Sequence, residues 1–403
     1  MRFFNGSSGE YAFSFFYIYI EKEIDFQDFE SNNEEDKGTF IHEYCHYLQD
    51  VTTTFGAYSF IYYIQRLLAK LKQEYKQDVY QNNILTYNED YYSLFEGDFR
   101  LEGKVSFIQD ISIKKDTIYE EVYPNEDNEY IEILYDGGKT IHFGNFCVAE
   151  SMAYLIEKQL YNVRERYEEF PYNMCEKVCQ EEYEEFAKNE INIIGLCELS
   201  LLHYNGGVFF VKLLRTMKEE NFLPQDVTQM VDFSKKIEET NFFYNREQMS
   251  LLLDRIYPKC SIDFLPIKEW IISRYDLAKI HRDLSKCFLS QMLGLKEKGM
   301  KFLCWNGIME TFGCPNVLNR TGDNFQGASL EGKEIDIQYM LAPWAIYLML
   351  ESIENNNCPL EQICRQGDYN MYREEFCSKP LQMESDNNYL CPIELFKKLY
   401  GIG

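Results

Sequence analysis

The segment Gly38–Asp50, GTFIHEYCHYLQD, contains two of the chain's five histidines, His42 and His46, four residues apart. On an α-helix, side chains at this spacing lie on one face, one turn apart, so both imidazole rings can reach one ion. Glu43 is rotated by about 100° around the same helix, which places it beside the ion rather than in line with it. The segment therefore predicts a helix that carries two metal ligands and, separately from them, a carboxylate that can accept a proton.

Such a helix needs a buried side to hold its histidines in fixed positions. Four apolar residues recur on the side away from the two histidines: Phe40, Tyr44, Leu48 and Val51. Burial of this side against the core would restrict the orientation of the ligands. We expect Thr39 to cap the helix, after an acidic, turn-rich loop at residues 30–38.

Zinc in a catalytic site is bound by three protein ligands, so one more residue is required. The metzincin pattern places a third histidine shortly after the first two, but this chain has Thr52 at that position. Glu150 is the preferred ligand, because it opens a helical pattern in which small Ala149 and Ser151 permit close approach of another helix. His142, in the preceding hairpin, is the alternative third ligand.

Through the segments HEYCH and AESMAYLIE the chain resembles the gluzincin class of zinc metallopeptidases, of which thermolysin is the best-known member. The resemblance covers about thirty residues at most. It implies Zn²⁺ as the cofactor, with His42, His46 and Glu150 as its ligands and Glu43 as the general base. The chain departs from the thermolysin pattern in its long spacing between the motif and the third ligand, and in having Tyr154 where an Asp would orient a ligand histidine.

Two kinds of supporting residue are expected around such a site. Ligating histidines usually donate their second ring N–H to a carboxylate, and Asp50 and Glu157 are the candidates. A Tyr or His donor stabilises the tetrahedral oxyanion in peptidases of this kind. Order along the chain favours His203 and Tyr204 for this role, with His281 as another candidate. For each of these residues the alternative is an ordinary packed or solvated position.

Secondary-structure patterns divide the chain near residue 162. Residues 11–24 are rich in aromatic residues and Ile, which predicts a strand, and residues 130–143 predict a hairpin that turns at Asp136-Gly137-Gly138. Later patterns are overwhelmingly helical. We expect a predominantly helical α+β fold: a zincin-like region at 1–162 with a small mixed or antiparallel sheet and the active-site helix, then a large helical region at 163–403 that can pack with it as one unit.

Composition restricts the partners and the location. The formal net charge of −26 disfavours sequence-independent binding to nucleic acid, which depends on Lys and Arg at the phosphates. The longest apolar run, YMLAPWAIYLML from Tyr339, is too short to span a bilayer and contains Pro343. The first residues lack the features of a signal peptide. We therefore expect a cytoplasmic protein with no direct nucleic-acid or membrane partner.

The thirteen cysteines are scattered along the chain, many of them in apolar helical patterns. Two pairs are candidate metal ligands by residue type, Cys175 with Cys179 and Cys358 with Cys364. Structural zinc sites usually combine two closely spaced pairs, whereas the first pair has no convincing second pair nearby and the second is spaced too widely. Buried, reduced thiols are the favoured interpretation.

These observations favour a zinc-dependent endopeptidase that cleaves an intracellular protein, with the substrate added as a strand beside residues 11–24 or 130–143. By analogy, a regulated bacterial effector such as a defence or toxin protease, with a regulatory partner protein, fits these features. The alternatives are a binding or scaffold protein with a structural or degenerate site, and a metal-dependent hydrolase of non-peptide amides. The sequence does not indicate the oligomeric state.

Overall fold

The computed structural model describes residues 9–25, 28–75, 95–98, 104–116, 128–161, 170–238, 242–257, 264–295, 298–319, 324–325, 329–330, 333–334, 337–351, 358–366, 374–378, 380 and 391–400. In this part the chain forms a four-stranded sheet, a three-stranded sheet and a two-stranded ribbon among many helices. The expected predominantly helical α+β class is confirmed. No helix in the described ranges is long and apolar enough to cross a bilayer.

The four-stranded sheet is mixed and is built from distant parts of the chain. Strand β1 (Gly9–Ala12) pairs antiparallel with β2 (Tyr17–Ile20), and β2 pairs parallel with β6 (Asn316–Asn319). Strand β7 (Asn324–Phe325) completes the sheet beside β6. Two strands from the helical second region therefore extend the β1–β2 pair of the first region.

The single strand predicted at residues 11–24 is wrong, because a turn divides it into β1 and β2. Ser14 and Phe16 have positive φ angles of 69° and 54° in this turn. Phe15 and Phe16 are nonetheless buried, with 4% and 1% of their surface exposed. The aromatic residues that suggested a strand are thus partly the core side chains of a turn.

Helix α1 (Glu34–Thr52) carries the histidine motif and lies in the centre of the fold. Asn33 caps it by accepting a hydrogen bond from the Asp36 N–H, so the prediction of Thr39 as the cap is wrong. Glu34, Glu35 and Asp36, which we expected in a loop, instead form the first turn of α1, where negative charge interacts favourably with the helix dipole. Every residue from Lys37 to Thr52 is buried, so the expected apolar side is buried and the opposite side is too.

The neighbours of α1 account for this burial. Helix α2 (Thr54–Tyr75) follows directly, and strand β1 packs on α1. The three-stranded antiparallel sheet comprises β3 (Ile108–Lys115), β4 (Glu129–Tyr135) and β5 (Lys139–Phe143), and its last hairpin turns at residues 136–138 as predicted. Helix α3 (Asn145–Leu160) begins two residues after β5 and packs along α1.

The other helices in the described part follow in chain order. They are α4 (Met174–Glu182), α5 (Glu184–Ala187), α6 (Glu190–Ser200), α7 (Gly206–Glu219), α8 (Val227–Ser234), α9 (Arg246–Ile256), α10 (Leu265–Leu284), α11 (Phe288–Leu293), α12 (Lys298–Phe312), α13 (Ile337–Glu351), α14 (Glu361–Gln366), α15 (Glu374–Cys377) and α16 (Pro392–Tyr400). The ribbon is formed by β8 (Ser329–Leu330) and β9 (Lys333–Glu334). Helix α10 also packs against α1.

A buried ion pair attaches the end of α1 to three later helices. Arg282 of α10 donates to the carbonyl oxygen of Thr52 at 2.8 Å and to its hydroxyl at 2.9 Å, and it pairs with Glu198 of α6. The Glu198 carboxylate accepts the backbone N–H groups of Leu289 and Ser290 at the start of α11. Both charges are thus hydrogen-bonded, which a buried pair requires.

Asp50 attaches α1 to the β1–β2 turn. Its Oδ2 accepts the Tyr11 hydroxyl at 2.8 Å and the Ser14 N–H at 2.5 Å. Burial raises the pKa of Asp50 to about 7, although both hydrogen bonds favour the ionised form. The carboxyl group therefore binds its proton more tightly in the folded chain than in the unfolded chain.

We predict that titration of Asp50 lowers the free energy of unfolding as the pH rises from about 4 to about 7. In that window the folded state binds more protons at Asp50 than the unfolded state does. Asp50→Asn should remove this contribution, which amounts to as much as about 1.4 kcal/mol for each pH unit. Denaturant unfolding across this range would measure it. Asp232→Asn, at the surface, is the control, and equal pH slopes for wild type and Asp50→Asn would contradict the prediction.

Candidate metal centre

Helices α1 and α3 approach closely along the faces that carry the predicted ligands. Ala149, Ser151 and Ala153 of α3 are all buried, with at most 1% of their surface exposed. Gln49 of α1 donates its amide N–H to the Ala149 carbonyl oxygen at 2.8 Å. Small side chains and this hydrogen bond bring Glu150 beside the two histidines.

Three ligand atoms form a compact triangle between the helices. His42 Nε2 lies 3.2 Å from His46 Nε2 and 3.3 Å from Glu150 Oε2, and His46 Nε2 lies 3.4 Å from Glu150 Oε2. Ligand atoms at about 2.0–2.1 Å from a tetrahedral zinc ion are about 3.3–3.4 Å apart. The triangle therefore has the dimensions of one face of a zinc tetrahedron.

The second ring nitrogen of each histidine is also held. His42 Nδ1 lies 3.4 Å from Glu157 Oε2, and His46 Nδ1 lies 2.8 Å from Gln49 Oε1. With Nε2 directed at the common point, the His46 Nδ1–H donates to Gln49, and the Glu157 carboxylate lies beside His42 Nδ1, a position from which it can orient that ring. Of the two expected supporting carboxylates, Glu157 lies here, whereas Asp50 serves the β1–β2 turn.

Gln49 is a supporting residue outside the expectation, which named only carboxylates as partners of the histidines. Its position three residues after His46 puts the two side chains on the same helix face, a signal that the sequence contains. One amide can also accept from His46 through its oxygen and donate to α3 through its nitrogen. A carboxylate at this position would lack the donor.

The charges of the centre call for a cation. Glu43, Glu150 and Glu157 are buried, with 6%, 7% and 0% of their surface exposed, around two imidazole rings. The pKa of Glu150 falls to about 2, because His46 and His42 outweigh the effect of burial. The pKa of His42 is raised, against the effect of burial, by Glu150 and Glu157. Either a proton on an imidazole or a metal ion must balance these buried carboxylates, and the triangle suits a metal ion.

Glu43 lies between the metal centre and strand β1. Burial raises the pKa of Glu43 to about 7, with His42 and His46 opposing the rise. A side chain at Gly9 of β1 would begin 2.9 Å from both Cγ and Oε1 of Glu43, so a larger residue there would force the Glu43 side chain to shift. The pKa of Glu10, the next residue of β1, is raised to about 8 by burial and by Glu43.

Tyr172, just before α4, is a second residue that the sequence analysis missed. Its ring meets that of His42 edge to face with centroids 5.6 Å apart, and it is partly exposed. Burial and the nearby Glu150 raise the pKa of Tyr172 well above its usual range, so its hydroxyl stays protonated. No sequence spacing connects Tyr172 with the motif.

The remaining candidates have other surroundings. His203 pairs with Glu238 at 3.0 Å and stacks on Tyr204, and neither residue belongs to the ligand group. His142 donates its backbone N–H to Asp98 and packs on a tyrosine ring, so the alternative third ligand is not part of the group either. His281 packs against Phe288 and Phe312. The order of these residues along the chain was therefore no guide to whether they lie near His42, His46 and Glu150.

Comparison of the chain with protein-family models, with curated proteins and with solved structures finds no match.

We predict that His42→Ala, His46→Ala or Glu150→Ala removes about one zinc ion per chain, because three protein ligands are needed at a catalytic-type site. Glu157→Gln and Gln49→Ala should keep the ion but bind it about 10–100-fold more weakly, since they only orient the rings. Elemental analysis and zinc titration against a chelator would measure both effects. His142→Ala is the control, and unchanged zinc in Glu150→Ala would refute the assignment of this ligand.

Proposed function

We propose that this chain is a zinc-dependent endopeptidase with a gluzincin-type site that cleaves an intracellular protein substrate. The observation that supports this most strongly is the triangle of His42, His46 and Glu150, whose ligand atoms are 3.2–3.4 Å apart. Such a ligand set leaves a fourth position for water or substrate, as catalytic zinc sites do.

Zinc bound in such a site supplies a Lewis acid that activates water and polarises a carbonyl group. In our proposal Glu43 accepts the proton of the attacking water and passes it to the amine that leaves. Its pKa of about 7 suits both steps, because a general base works best when its pKa is near the working pH. His42, His46 and Glu150 serve only as ligands.

Tyr172 replaces His203 and Tyr204 as the proposed oxyanion donor. Its ring contacts the His42 ring, its side chain is partly exposed, and its phenol stays protonated. A hydrogen bond from such a donor to the oxygen of the cleaved carbonyl stabilises charge that develops in the transition state.

Strand β1 is the proposed docking edge for the substrate. Within the described residues β1 has a strand partner on one side only, β2. Because Gly9 lies near the Glu43 side chain, a peptide added along the other side of β1 would pass close to the proposed general base. The hairpin of β4 and β5 is a less suitable edge, because His142 lies outside the ligand group.

We further propose that the enzyme acts in the cytoplasm and is regulated. The described cysteines are thiols, which suits a reducing compartment. The side chains of His42, His46 and Glu150 are only 4%, 4% and 10% exposed, so a protein substrate gains access only after local opening. A partner protein that promotes this opening would turn the activity on.

The same burial supports a second candidate function, a binding or scaffold protein in which the ion is structural. Structural zinc sites are closed to solvent, whereas catalytic sites keep an open position. The two candidates differ in the role of Glu43, which is essential for hydrolysis and dispensable for a structural ion.

We predict that Glu43→Gln abolishes hydrolysis and leaves the zinc content unchanged, because Glu43 moves a proton and does not bind the ion. New protein amino termini in cells that express wild type or Glu43→Gln would be compared by mass spectrometry. Glu34→Gln, an exposed change at the start of the same helix, is the control. If Glu43→Gln produces the same new termini as wild type, the peptidase proposal fails and the scaffold candidate is favoured.

Tyr172→Phe should lower kcat about 10²–10³-fold, the usual cost of removing one oxyanion donor, with little change in KM. Zinc content should stay at the wild-type level. Tyr204→Phe is the matched control and should retain full activity. The assignment of Tyr172 is wrong if its variant keeps the wild-type kcat on a substrate identified by the comparison of amino termini.

A further inference from the structure

Ser151 follows the candidate ligand Glu150 on α3 but does not belong to the ligand group itself. Its side chain is fully buried, with 0% of its surface exposed. The rotation of about 100° between neighbouring residues of a helix directs Glu150 and Ser151 to different neighbours. Glu150 meets the histidines of α1, whereas Ser151 meets α4 and the short segment before it, which includes Tyr172.

The Ser151 hydroxyl group makes two hydrogen bonds to the backbone on either side of Tyr172. It donates to the carbonyl oxygen of Pro171 at 3.0 Å. It also accepts the backbone N–H of Cys175 at 3.1 Å. A hydroxyl group suits this position because it can donate and accept at the same time. One oxygen atom therefore fixes the chain directly before Tyr172 and again at the start of α4.

The second of these hydrogen bonds caps α4 from another helix. The first N–H groups of a helix have no partner within it, and the side chain of the preceding residue usually accepts from one of them. Asn173 has this place before α4 and is of a suitable type, but its side chain makes no capping hydrogen bond. Ser151 supplies an acceptor instead, so the start of α4 is positioned by α3.

The ring of Tyr172 contacts both helices that carry the candidate ligands. Its centroid lies 5.6 Å from that of His42 on α1. It lies 6.3 Å from that of Tyr154, which is one turn after Glu150 on α3. The backbone around Tyr172 is thus attached to α3 through Ser151, while the ring reaches across to α1. A shift of this segment would move the phenol relative to the metal centre.

We propose that Ser151 is a positioning residue that holds the Tyr172 phenol beside the metal centre, at the place from which it donates to the oxyanion. The proposal rests on the proposed function, in which Tyr172 is the oxyanion donor. Ser151 acts only through the backbone of residues 171–175. Such donors act at about 2.7–3.1 Å from the developing charge, so a displacement of about 1 Å removes most of their effect.

This role is separate from the one that the sequence suggested for Ser151. There its small size mattered, because small residues on α3 permit close approach of another helix. Alanine is equally small and would keep that approach, but it has no hydroxyl group for Pro171 and Cys175. Ser151→Ala therefore separates the position of Tyr172 from the packing of α3 on α1.

In the full-length zinc-bound protein, Ser151→Ala should lower kcat about 10²-fold, the usual cost of a displacement of about 1 Å, with little change in KM. Zinc content should stay at the wild-type level, because the three ligands are intact. Added to Tyr172→Phe, it should lower kcat little further, since residues that act as one unit are not additive. Assays would use a substrate identified by the comparison of amino termini.

The matched control is Ser200→Ala. Ser200 is also a fully buried helical serine, but its hydroxyl donates to Leu196 of its own helix at 2.7 Å, so this variant should keep the wild-type kcat. Wild-type kcat in Ser151→Ala, or an equal loss with and without Tyr172→Phe, would overturn the proposal. Loss of zinc from Ser151→Ala would also overturn it, because Ser151 would then support Glu150. If Ser151→Ala fails to fold, Ser151→Cys, whose thiol is a weaker donor and acceptor, takes its place with the same expectations.

A fluorinated tyrosine at position 172 tests the placement of the ring without any substrate. Its fluorine NMR signal depends on the surroundings of the ring, so it should shift or broaden in Ser151→Ala and stay unchanged in Ser200→Ala. An unchanged signal in both variants would overturn the positioning role, whether or not the chain is a peptidase. Glu43→Gln decides separately whether the chain is a peptidase.

Discussion

The fold depends on one constraint: helix α1 is buried from Lys37 to Thr52, yet it carries several polar and ionisable side chains. Each of them must find a partner inside the protein, because an unpaired buried charge costs several kcal/mol (about 3–5 when one partner of a buried pair is removed). The surrounding elements supply these partners one by one. The elements around α1 are therefore distinguished by the polar groups that each contributes to it.

Helix α3 contributes the largest share of these partners, because its Glu150 and Glu157 face the two histidines. Strand β1 and the turn after it contribute the two groups that donate hydrogen bonds to Asp50. Helix α10 contributes Arg282, which donates to the carbonyl oxygen of Thr52. These contacts occupy successive turns of α1, so the candidate metal ligands and the structural attachments are separated along one helix. Asp50 and Gln49 are adjacent in sequence, but the helical rotation of about 100° sends them to different neighbours.

In the described structure, the regions before and after residue 162 are joined more closely than their different secondary-structure patterns suggest. Strand β6 enters the first sheet beside β2, and Tyr44 and Tyr47 of α1 donate to carbonyl oxygens at the end of α12. The long helical part is therefore packed directly against α1 and the first sheet.

What the sequence alone determined about this protein is what depends on short range. The helix at His42 and His46, its buried apolar side, the hairpin at residues 136–138 and the helix at Glu150 all follow from periodicity or turn chemistry within a few residues. The choice of Glu150 as third ligand came from residue type and small neighbours, and the structure brings it to the histidines. Local patterns failed at two places. Residues 34–38 are highly charged and suggested a loop, but they begin α1. The aromatic residues of the β1–β2 turn suggested a continuous strand.

Only the tertiary structure decided which distant groups meet. Nothing in the spacing distinguished Glu157 from Asp50, connected Tyr172 with His42, or separated His203 from the centre. The physical reason is that a hydrogen bond or ion pair depends on positions in space, and those positions are set by the packing of whole helices rather than by neighbours in the chain.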